Sequence, residues 1–236
     1  MIFGAILAGG TGSRMNIADM PKQFLPLGDK PIVVHTLEKF LLCGQFDAIY
    51  LGVHPSWVTH MQDIIAQYIK TQKKIVVVPG GGDRNETILN IVEGIEADYG
   101  ESDEHIIVTH DAVRPFVTMR ILEENIAAAK EHGAVDTVTP AIDTIVCSQD
   151  GRLISDIPDR RMMYQGQTPQ SFRMSMMKRL YLSLSEEEKG ILTDACKICI
   201  VRDQPVHLVE GEISNLKITT ISDYKIAQAM LGGIDE

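Results

Sequence analysis

Two cations follow a glycine-rich turn near the start of the chain. The segment from Leu7 to Phe24 reads LAGGTGSRMNIADMPKQF, with several glycines, then Arg14, and then Lys22 behind a proline. Glycines let the main chain approach a phosphate or a base closely, while arginine offers a planar fork for phosphate oxygens and lysine a point charge. These residue types favour a site that gathers Arg14 and Lys22 around a triphosphate. Nucleotidyl transfer requires such a site, because an oxygen attacks the α-phosphorus and pyrophosphate leaves.

Two common uses of a glycine loop do not fit this one. A dinucleotide fold requires Gly-x-Gly-x-x-Gly and an acidic residue about 20 residues further on. Here Met15 stands where the third glycine belongs, and the second predicted strand ends in His54–Pro55 without a carboxylate. A P-loop requires a Gly-Lys pair, and the sequence has none. A tight strand-to-helix turn without a ligand remains the plain alternative for the glycines alone.

The composition narrows the class of partner. The chain has 236 residues, of which 44% are hydrophobic and 23% charged, and its formal net charge is −10. These values predict a sizeable core and argue against disorder. A negative field also disfavours nucleic-acid binding, so an anionic substrate must be held by a few placed cations.

The sequence gives no sign of export or of a membrane partner. No apolar run approaches the roughly 18 residues of a membrane span. The apolar N-terminal segment MIFGAILAGG has no basic region before it, as a secretory signal would. The four cysteines do not suggest a disulfide framework. We therefore expect a cytoplasmic, reduced protein.

Short apolar runs rich in β-branched residues alternate with segments of helical spacing. The runs predict strands at 3–9, 48–54, 74–80 and 105–112, and the other segments predict helices at 31–43, 56–69, 84–97 and 118–131. This alternation indicates an α/β fold, a Rossmann-like, mostly parallel sheet flanked by helices. Ligands of such sheets bind beyond the carboxyl ends of the strands, where three informative loops fall, at 8–14, 80–87 and 111–115.

The alternation of predicted strands and helices stops between residues 140 and 172. Asp150–Gly151, flanked by apolar residues, predicts a tight hairpin turn, and no helix follows it. We interpret the segment at about 140–165 as a projecting β-hairpin arm. The remaining predicted elements are a helix at 173–184, a helical stretch at 192–200, strands near 205–210 and 215–220, and a last helix at 222–231. Because no linker or repeat interrupts the chain, residues 1–236 are predicted to form a single domain with that arm.

Six blocks in a fixed order carry a family resemblance that spans residues 7 to 220. They are LAGGTGSRM…PKQF, GGGDRNETI (80–88), THDAVRPF (109–116), AIDTI (141–145), QTPQSF (167–172) and EGEISNLKITT (210–220). The ordered set resembles the cytidylyltransferases that couple CTP to small polyol phosphates, although no single block is decisive. The resemblance implies transfer of the cytidylyl group of CTP to a polyol phosphate, with release of pyrophosphate.

Two branches of that family differ in their acceptor. One makes CDP-ribitol from D-ribitol 5-phosphate for wall teichoic acid, and the other makes CDP-methylerythritol from 2-C-methyl-D-erythritol 4-phosphate for isoprenoids. The second branch usually reads PAAG and HDAARP where this chain reads LAGG at 7–10 and HDAVRP at 110–115. DRNETI and MYQGQTPQSF also resemble the ribitol branch. Ribitol 5-phosphate is therefore the preferred acceptor and methylerythritol phosphate the alternative.

The resemblance also assigns residues to the nucleotide. Two segments would clasp CTP, and their residues are Leu7, Ala8, Gly9, Gly10, Gly81, Gly82, Asp83, Arg84, Asn85, Glu86 and Thr87. Arg14, Lys22 and Lys217 would be catalytic, because they would stabilise charge on the transferring group. Taken alone, PGGGDR reads as a plain turn, and Lys217 reads as a solvated lysine on an edge strand.

A second set of residues would serve the acceptor, and its members are Asp111, Arg114, Thr144, Arg160 and Lys217. Asp111 would also contact a Mg²⁺ ion that bridges phosphates. A helix cap or a partner for Arg114 is the structural alternative for Asp111, and Arg114 has an equal claim to a structural role. In this family the arms of a homodimer embrace, so Thr144 and Arg160 would reach the partner's site. A reductase that produces ribitol 5-phosphate is a further candidate partner.

Two other classes remain as alternatives. Sugar-phosphate and molybdopterin nucleotidyltransferases share a similar first loop, but DAVRP and TPQ argue against them. A non-catalytic nucleotide-binding subunit would keep the loop and lack catalysis. The joint presence of Arg14, Lys22, Asp111 and Lys217 argues against that class, because binding alone would not require all four.

Overall fold

The computed structural model describes residues 1–10 and 20–232. Its first half alternates strands and helices. In chain order these are β1 (Ile2–Ala8), β2 (Pro26–Leu27), β3 (Lys30–Pro31), α1 (Ile32–Leu42), β4 (Ala48–Val53), α2 (Val58–Tyr68), β5 (Lys74–Pro79), α3 (Arg84–Tyr99), β6 (Ile106–Asp111) and α4 (Met119–His132). The four strands and four helices predicted for this half are confirmed to within a few residues.

The second half departs from strict alternation. Its elements are β7 (Ala134–Pro140), β8 (Tyr164–Arg173), α5 (Met174–Leu182), α6 (Glu186–Gly190), α7 (Cys196–Val201), β9 (His207–Glu210) and α8 (Ile221–Gly232). Single-turn 3₁₀ helices also occur at Lys22–Phe24, Pro55–Trp57 and Arg160–Met162. Among the described residues, no helix is both long and apolar enough to cross a membrane.

The main sheet of the described chain has seven strands in the order β5-β4-β1-β6-β8-β7-β9. The pairs β5–β4, β4–β1, β1–β6 and β7–β9 are parallel, and β8 runs antiparallel to both of its neighbours. The predicted mostly parallel α/β sheet is therefore confirmed. The parallel register places the carboxyl ends of β5, β4, β1 and β6 along one edge of the sheet.

Helices cover both faces of this sheet, which explains why its central strands are continuously apolar. All residues of β4 and β6 are buried. One face packs against Leu37 of α1, Met61 of α2 and Ile126 of α4. The other packs against α3, α5 and α7, for example through Ile91 and Met177. The rigid two-sided core fixes the strand ends from which the site is built.

The sequence prediction contained neither β7 nor β8, although β8 is ten residues long. Its sequence, YQGQTPQSFR, is polar and does not alternate in the manner of a strand. The polar side chains in its second half are nevertheless buried and hydrogen bonded: Ser171 donates to Asn125 at 3.1 Å, and Gln170 donates to Asp136 at 3.1 Å. Tertiary partners outweigh the local pattern in this strand.

The strand predicted near 215–220 is wrong. Residues 215–220, all of them described, form an irregular segment that runs beside the loop after β6. The Ile218 N–H donates to the Val113 carbonyl at 2.9 Å, and the Ile218 side chain is buried. Lys217 is therefore carried by a docked loop rather than by an edge strand.

The arm between β7 and β8 is confirmed as a projecting hairpin. Cys147 and Asp156 form its antiparallel bridge, and Asp150 Oδ1 accepts the backbone N–H groups of Arg152 and Leu153 at the turn. Gly151 has a φ of +71°, which favours glycine there. Large apolar side chains of the arm are exposed, and they are Ile142, Val146, Leu153, Ile154, Ile157 and Met162. The assignment of the whole chain to one domain stays a prediction.

Candidate active site

A cavity of about 800 Å³ lies at the carboxyl ends of β1, β4, β5 and β6. This is where a parallel α/β sheet binds its ligands. The lining residues follow the strand ends, and they are Leu7, Ala8, Gly9, Gly10, Lys22, Gln23, His54, Pro55, Gly80, Gly81, Gly82, Asp83, Arg84, Thr87, Asp111, Ala112, Val113 and Lys217. Most of the residues predicted to bind the nucleotide are therefore brought together in one cavity.

The loop after β5 is folded by its own side chains. Asp83 Oδ1 caps α3 by accepting the N–H groups of Asn85 at 2.7 Å and Glu86 at 2.8 Å. The Thr87 hydroxyl accepts the Gly81 N–H at 3.0 Å and donates to the Asp83 carbonyl at 2.7 Å. These bonds use the loop's donors internally, so the hydroxyl of Thr87 holds the loop in shape and offers a ligand only its remaining acceptor capacity.

Gly81 has a steric reason to be glycine. A Cβ at this position would lie 2.3 Å from the Cβ of Glu86, and the Glu86 carboxylate also accepts the N–H of the neighbouring Gly82 at 2.7 Å. Asn85 and Glu86 do not line the cavity. Their predicted contact with CTP stays a prediction, while the structure gives Glu86 a role in closing the loop.

Asp111, at the end of β6, is paired with three cations, and we call this cluster, together with His110, the cavity floor. Its carboxylate Oδ2 lies 2.8 Å from Lys217 Nζ and 3.5 Å from Arg114 Nε, and Oδ1 lies 3.7 Å from Arg84 Nε. Asp111 is only 7% exposed. The cluster therefore carries a net positive charge beside the cavity, as a site for a triphosphate requires.

Burial and charge act on Asp111 in opposite directions. Burial alone would raise the pKa of its carboxyl, but the positive charges of Arg84, Lys217 and Arg114, together with the hydrogen bond from Lys217, lower the pKa well below its usual range. Asp111 is therefore ionised at any physiological pH. It holds the Lys217 ammonium at the cavity by both charge and hydrogen bonding.

Arg114 faces away from the cavity and ties two loops together. Its Nη1 donates to the Asn215 carbonyl at 2.7 Å, and the Asn215 side-chain amide donates to the Thr168 carbonyl at 2.8 Å. Arg114 is buried and does not line the cavity. Its contacts are structural, because Arg114 fastens the loop after β6 to the loop that carries Lys217, and the Asn215 side chain fastens the latter loop to β8.

A neutral histidine locks the turn after β6. His110 Nε2 lies 3.1 Å from the Arg114 carbonyl, which accepts only, so Nε2 carries the proton. Nδ1 then accepts from the Thr168 hydroxyl at 2.9 Å, and that hydroxyl oxygen accepts the Asp111 N–H at 3.2 Å. Complete burial lowers the pKa of His110 to about 4. His110 therefore orients the Asp111 backbone as an uncharged hydrogen-bonding group.

Two further predicted residues lie on the arm and do not line the cavity. Arg160 Nη1 donates to the Ile142 carbonyl within the arm at 2.7 Å, and Thr144 is exposed on the same arm. The structure does not bring either to the cavity of its own chain. Arg14 lies outside the described residues, so its assignment stays a prediction.

Gln23 and His54 line the cavity without having been predicted as site residues. Gln23 follows Lys22 directly in PKQF, and its place beside a predicted catalytic lysine could have drawn attention to it. His54 follows β4, and its Nδ1 accepts the Ser56 N–H at 3.3 Å. Its position at a strand end was the available signal, because every strand end on this edge contributes to the site.

A strand-end cavity with two glycine-containing loops and nearby cations suits an anionic nucleotide, and comparison with known proteins gives the class, which is cytidylyltransferase. The chain belongs to the IspD family, 2-C-methyl-D-erythritol 4-phosphate cytidylyltransferase, whose model matches residues 2–233. It is also 53% identical over 232 residues to ribitol-5-phosphate cytidylyltransferase of Streptococcus pneumoniae serotype 2, covering 98% of this chain and 99% of that protein.

Solved structures agree with this family. The 4-diphosphocytidyl-2C-methyl-D-erythritol synthase of Anaerococcus prevotii is 28% identical, with a TM-score of 0.80 over 98% of this chain and 96% of that chain. The 2-C-methyl-D-erythritol 4-phosphate cytidylyltransferase of Thermus thermophilus is 23% identical, with a TM-score of 0.73 over 98% of both chains, and supports the fold alone.

Proposed function

We propose that the protein transfers the cytidylyl group of CTP to D-ribitol 5-phosphate, giving CDP-ribitol and pyrophosphate. The observation that carries this proposal is the 53% identity, over nearly the whole of both chains, to a ribitol-5-phosphate cytidylyltransferase. The solved methylerythritol-branch structure from A. prevotii is only 28% identical to this chain. The family resemblance of the sequence favours the same branch.

The charges along the cavity support an orientation for CTP. Lys217, Arg84 and Asp111 lie at the β6 side, and Lys22 follows β1, so the triphosphate belongs at this side. The ends of β4 and β5 contribute His54, Pro55 and three glycines at 80–82. Of the charged residues that follow β5, Asp83 caps α3, and the Arg84 guanidinium lies beside Asp111. We place the cytosine and ribose at the ends of β4 and β5.

The proposed reaction is a direct displacement. A phosphate oxygen of the acceptor forms a bond to the α-phosphorus, the bond from that phosphorus to the bridging oxygen of the β-phosphate breaks, and pyrophosphate departs with the bonding electrons. Lys217 gives one N–H to Asp111 and has two more for phosphate oxygens. With Lys22 and Arg14, it would stabilise charge that grows on the transferring group.

Asp111 fits a role in holding Mg²⁺, with the nucleotide completing the site. In the described part of the chain, no group of three or more His, Cys, Asp or Glu side chains is placed to hold a metal ion. Magnesium commonly takes one or two carboxylates and fills its shell with substrate phosphates and water, and Asp111 is an ionised carboxylate at the cavity. When bound, the ion would neutralise negative charge on the triphosphate.

The arm supports a proposal about assembly. Its exposed apolar side chains require cover, and we propose that a second copy of the chain supplies it, so that Thr144 and Arg160 serve the partner's acceptor site. The homodimer would act in the cytoplasm in wall teichoic acid synthesis. A reductase would supply the ribitol 5-phosphate.

Pyrophosphate release from purified protein with CTP and Mg²⁺ tests the proposed reaction. We expect D-ribitol 5-phosphate to give a much higher kcat/KM than 2-C-methyl-D-erythritol 4-phosphate. UTP should be a poor donor, because a pocket that hydrogen bonds the cytosine edge leaves its own groups unpaired with uracil. Preference for methylerythritol phosphate would select the alternative acceptor. CTP binding without pyrophosphate release from any polyol phosphate would favour a non-catalytic subunit.

A further inference from the structure

Gln23 is buried where the chain leaves β1 for the cavity. Its side chain is 2% exposed, and its amide nitrogen Nε2 donates to the carbonyl oxygens of Ala8 at 2.8 Å and Gly10 at 3.0 Å. Both amide hydrogens are therefore used, and both bonds end on the segment that forms the β1 side of the cavity.

That segment contributes little to its own restraint. Counting only contacts with the described residues, a Cβ on Gly10 would meet nothing within 4 Å, and a Cβ on Gly9 would meet the Thr87 hydroxyl alone, at 3.5 Å. Consecutive glycines have wide backbone freedom. Two hydrogen bonds from one buried side chain therefore remove much of the freedom that a ligand would otherwise have to remove on binding.

The bonds also occupy two main-chain carbonyl groups of this segment. Gln23 binds the carbonyl groups of Ala8 and Gly10, which lie on either side of Gly9. Because these two carbonyls are held by Gln23, Gly9, which lines the cavity, supplies the main-chain groups of this segment that remain for a bound ligand.

The same short turn carries Lys22. Lys22, Gln23 and Phe24 form one 3₁₀ turn, in which Lys22 lines the cavity. Phe24 is buried against Trp57, with ring centroids 5.4 Å apart, and against His60 at 4.8 Å. The turn is therefore anchored on one side by the aromatic cluster and on the other by the Gln23 bonds to the loop.

We propose that Gln23 is a positioning residue that presets the Ala8–Gly10 main chain for the nucleotide and ties this loop to Lys22. The choice of CTP as the ligand rests on the proposed function, whereas the effect on the loop does not. Gln23 acts through the loop and requires no contact of its own with the nucleotide.

The test replaces Gln23 by methionine, which has a similar length, accepts burial and lacks both donors. We expect the Kd for CTP, measured by calorimetry without acceptor, to rise about 10- to 100-fold. Amide hydrogen exchange of the 7–10 segment in the ligand-free protein should become faster. Gln23→Asn keeps the amide but is one methylene shorter, so we expect it to fall between the methionine variant and the wild type.

Gln170→Met is the matched control, because Gln170 is also 2% exposed and donates from its amide, but it does not line the cavity. It should lower the melting temperature while leaving the Kd for CTP and the exchange of the 7–10 segment unchanged. A folded Gln23→Met protein with wild-type CTP affinity and wild-type exchange would overturn the proposal. Wild-type protein that does not bind CTP would overturn the proposed function instead, and the exchange comparison would still decide the role of Gln23.

Discussion

The cavity floor and the arm differ in the burial of their side chains: polar groups are buried at the floor, and apolar groups are exposed on the arm. At the floor, Asp111 and His110 are buried, and neighbouring groups satisfy both side chains. On the arm, Leu153 is 73% exposed and Met162 74% exposed, and the Arg160 guanidinium donates to the arm's own backbone at Ile142. Asp111 and His110 therefore find their partners within one chain, whereas the arm has the character of a surface that another molecule covers.

Mutations at the floor and on the arm should differ in whether their effect on activity depends on dimer formation. A change at the floor alters charges that one chain has already arranged, so its effect should appear in every assembly state. A change on the arm should depend on the partner copy. This difference can be measured, and the largest effect on activity is expected at the floor.

Removal of Lys217 should have the largest effect on catalysis. Lys217→Ala loses a cation held 2.8 Å from Asp111 at the cavity, and we expect kcat to fall by about 10²-fold or more while KM for CTP changes less. Lys22→Ala should behave in the same way. Steady-state kinetics of pyrophosphate release measures both values. Near-normal kcat in either variant would exclude a role for that lysine in stabilising the transition state.

Two titratable groups, His110 at the floor and Asp136 on β7, should make the free energy of unfolding depend on pH. His110 has its pKa lowered from 6.5 to about 4, so the unfolded chain takes up its proton first and stability falls as the pH drops from 6.5 to 4. Burial raises the pKa of Asp136 from 3.8 to about 6, so the folded chain takes up that proton first and stability rises over nearly the same range. Each contribution is about 3 kcal/mol, and the two oppose each other.

Asp136→Asn should therefore remove the opposing contribution and leave the effect of His110 on the free energy of unfolding visible. We expect its free energy of unfolding to fall by about 3 kcal/mol more than that of the wild type between pH 6.5 and 4, as measured by urea denaturation. His110→Gln in the Asp136→Asn background should remove this additional fall. Parallel pH profiles for Asp136→Asn and the wild type would contradict the assignment.

The floor was more predictable from sequence than the elements that support it. Continuous apolar runs predicted β1, β4 and β6. Because parallel strands end at the same edge of a sheet, the sequence also predicted that the loops after Leu7 and at Asp111 lie close together. The polar strand β8 escaped this logic, because Gln170 and Ser171 are buried only through partners on other elements. Lys217 was identified through the family resemblance, but its loop was assigned as a strand.

The contacts that position the site depend on residues far apart in the sequence. Gln23 reaches Ala8 across 15 positions, and Arg114 reaches Asn215 across 101. No periodicity or spacing rule encodes such pairs, because they form only when the sheet brings the loops together. The arm was predictable for a local reason, since its Asp150–Gly151 turn is encoded by two adjacent residues.

The apolar surface of the arm should control assembly. Ile154→Ser removes an exposed apolar side chain from the surface that we assign to the partner copy, and we expect the dimer dissociation constant to rise about tenfold or more. Leu42→Ser is the matched control, because Leu42 is 72% exposed, compared with 62% for Ile154, but lies on α1. Analytical ultracentrifugation measures both variants. Equal dissociation constants for the two variants would show that the arm is not the dimer interface.

The smallest expected signal is the most specific one. If Arg160 serves the partner's site, a mixture of inactive Arg160→Ala and inactive Lys22→Ala chains contains dimers in which one site combines both wild-type residues. A random mixture of two chains gives mixed dimers half of the time, and one of their two sites is intact, so activity should return toward about a quarter of normal. Subunit exchange is verified with differently tagged chains. Demonstrated exchange without recovered activity would show that Arg160 acts within its own chain, if it acts at all, and would leave the proposed transfer to ribitol 5-phosphate untouched.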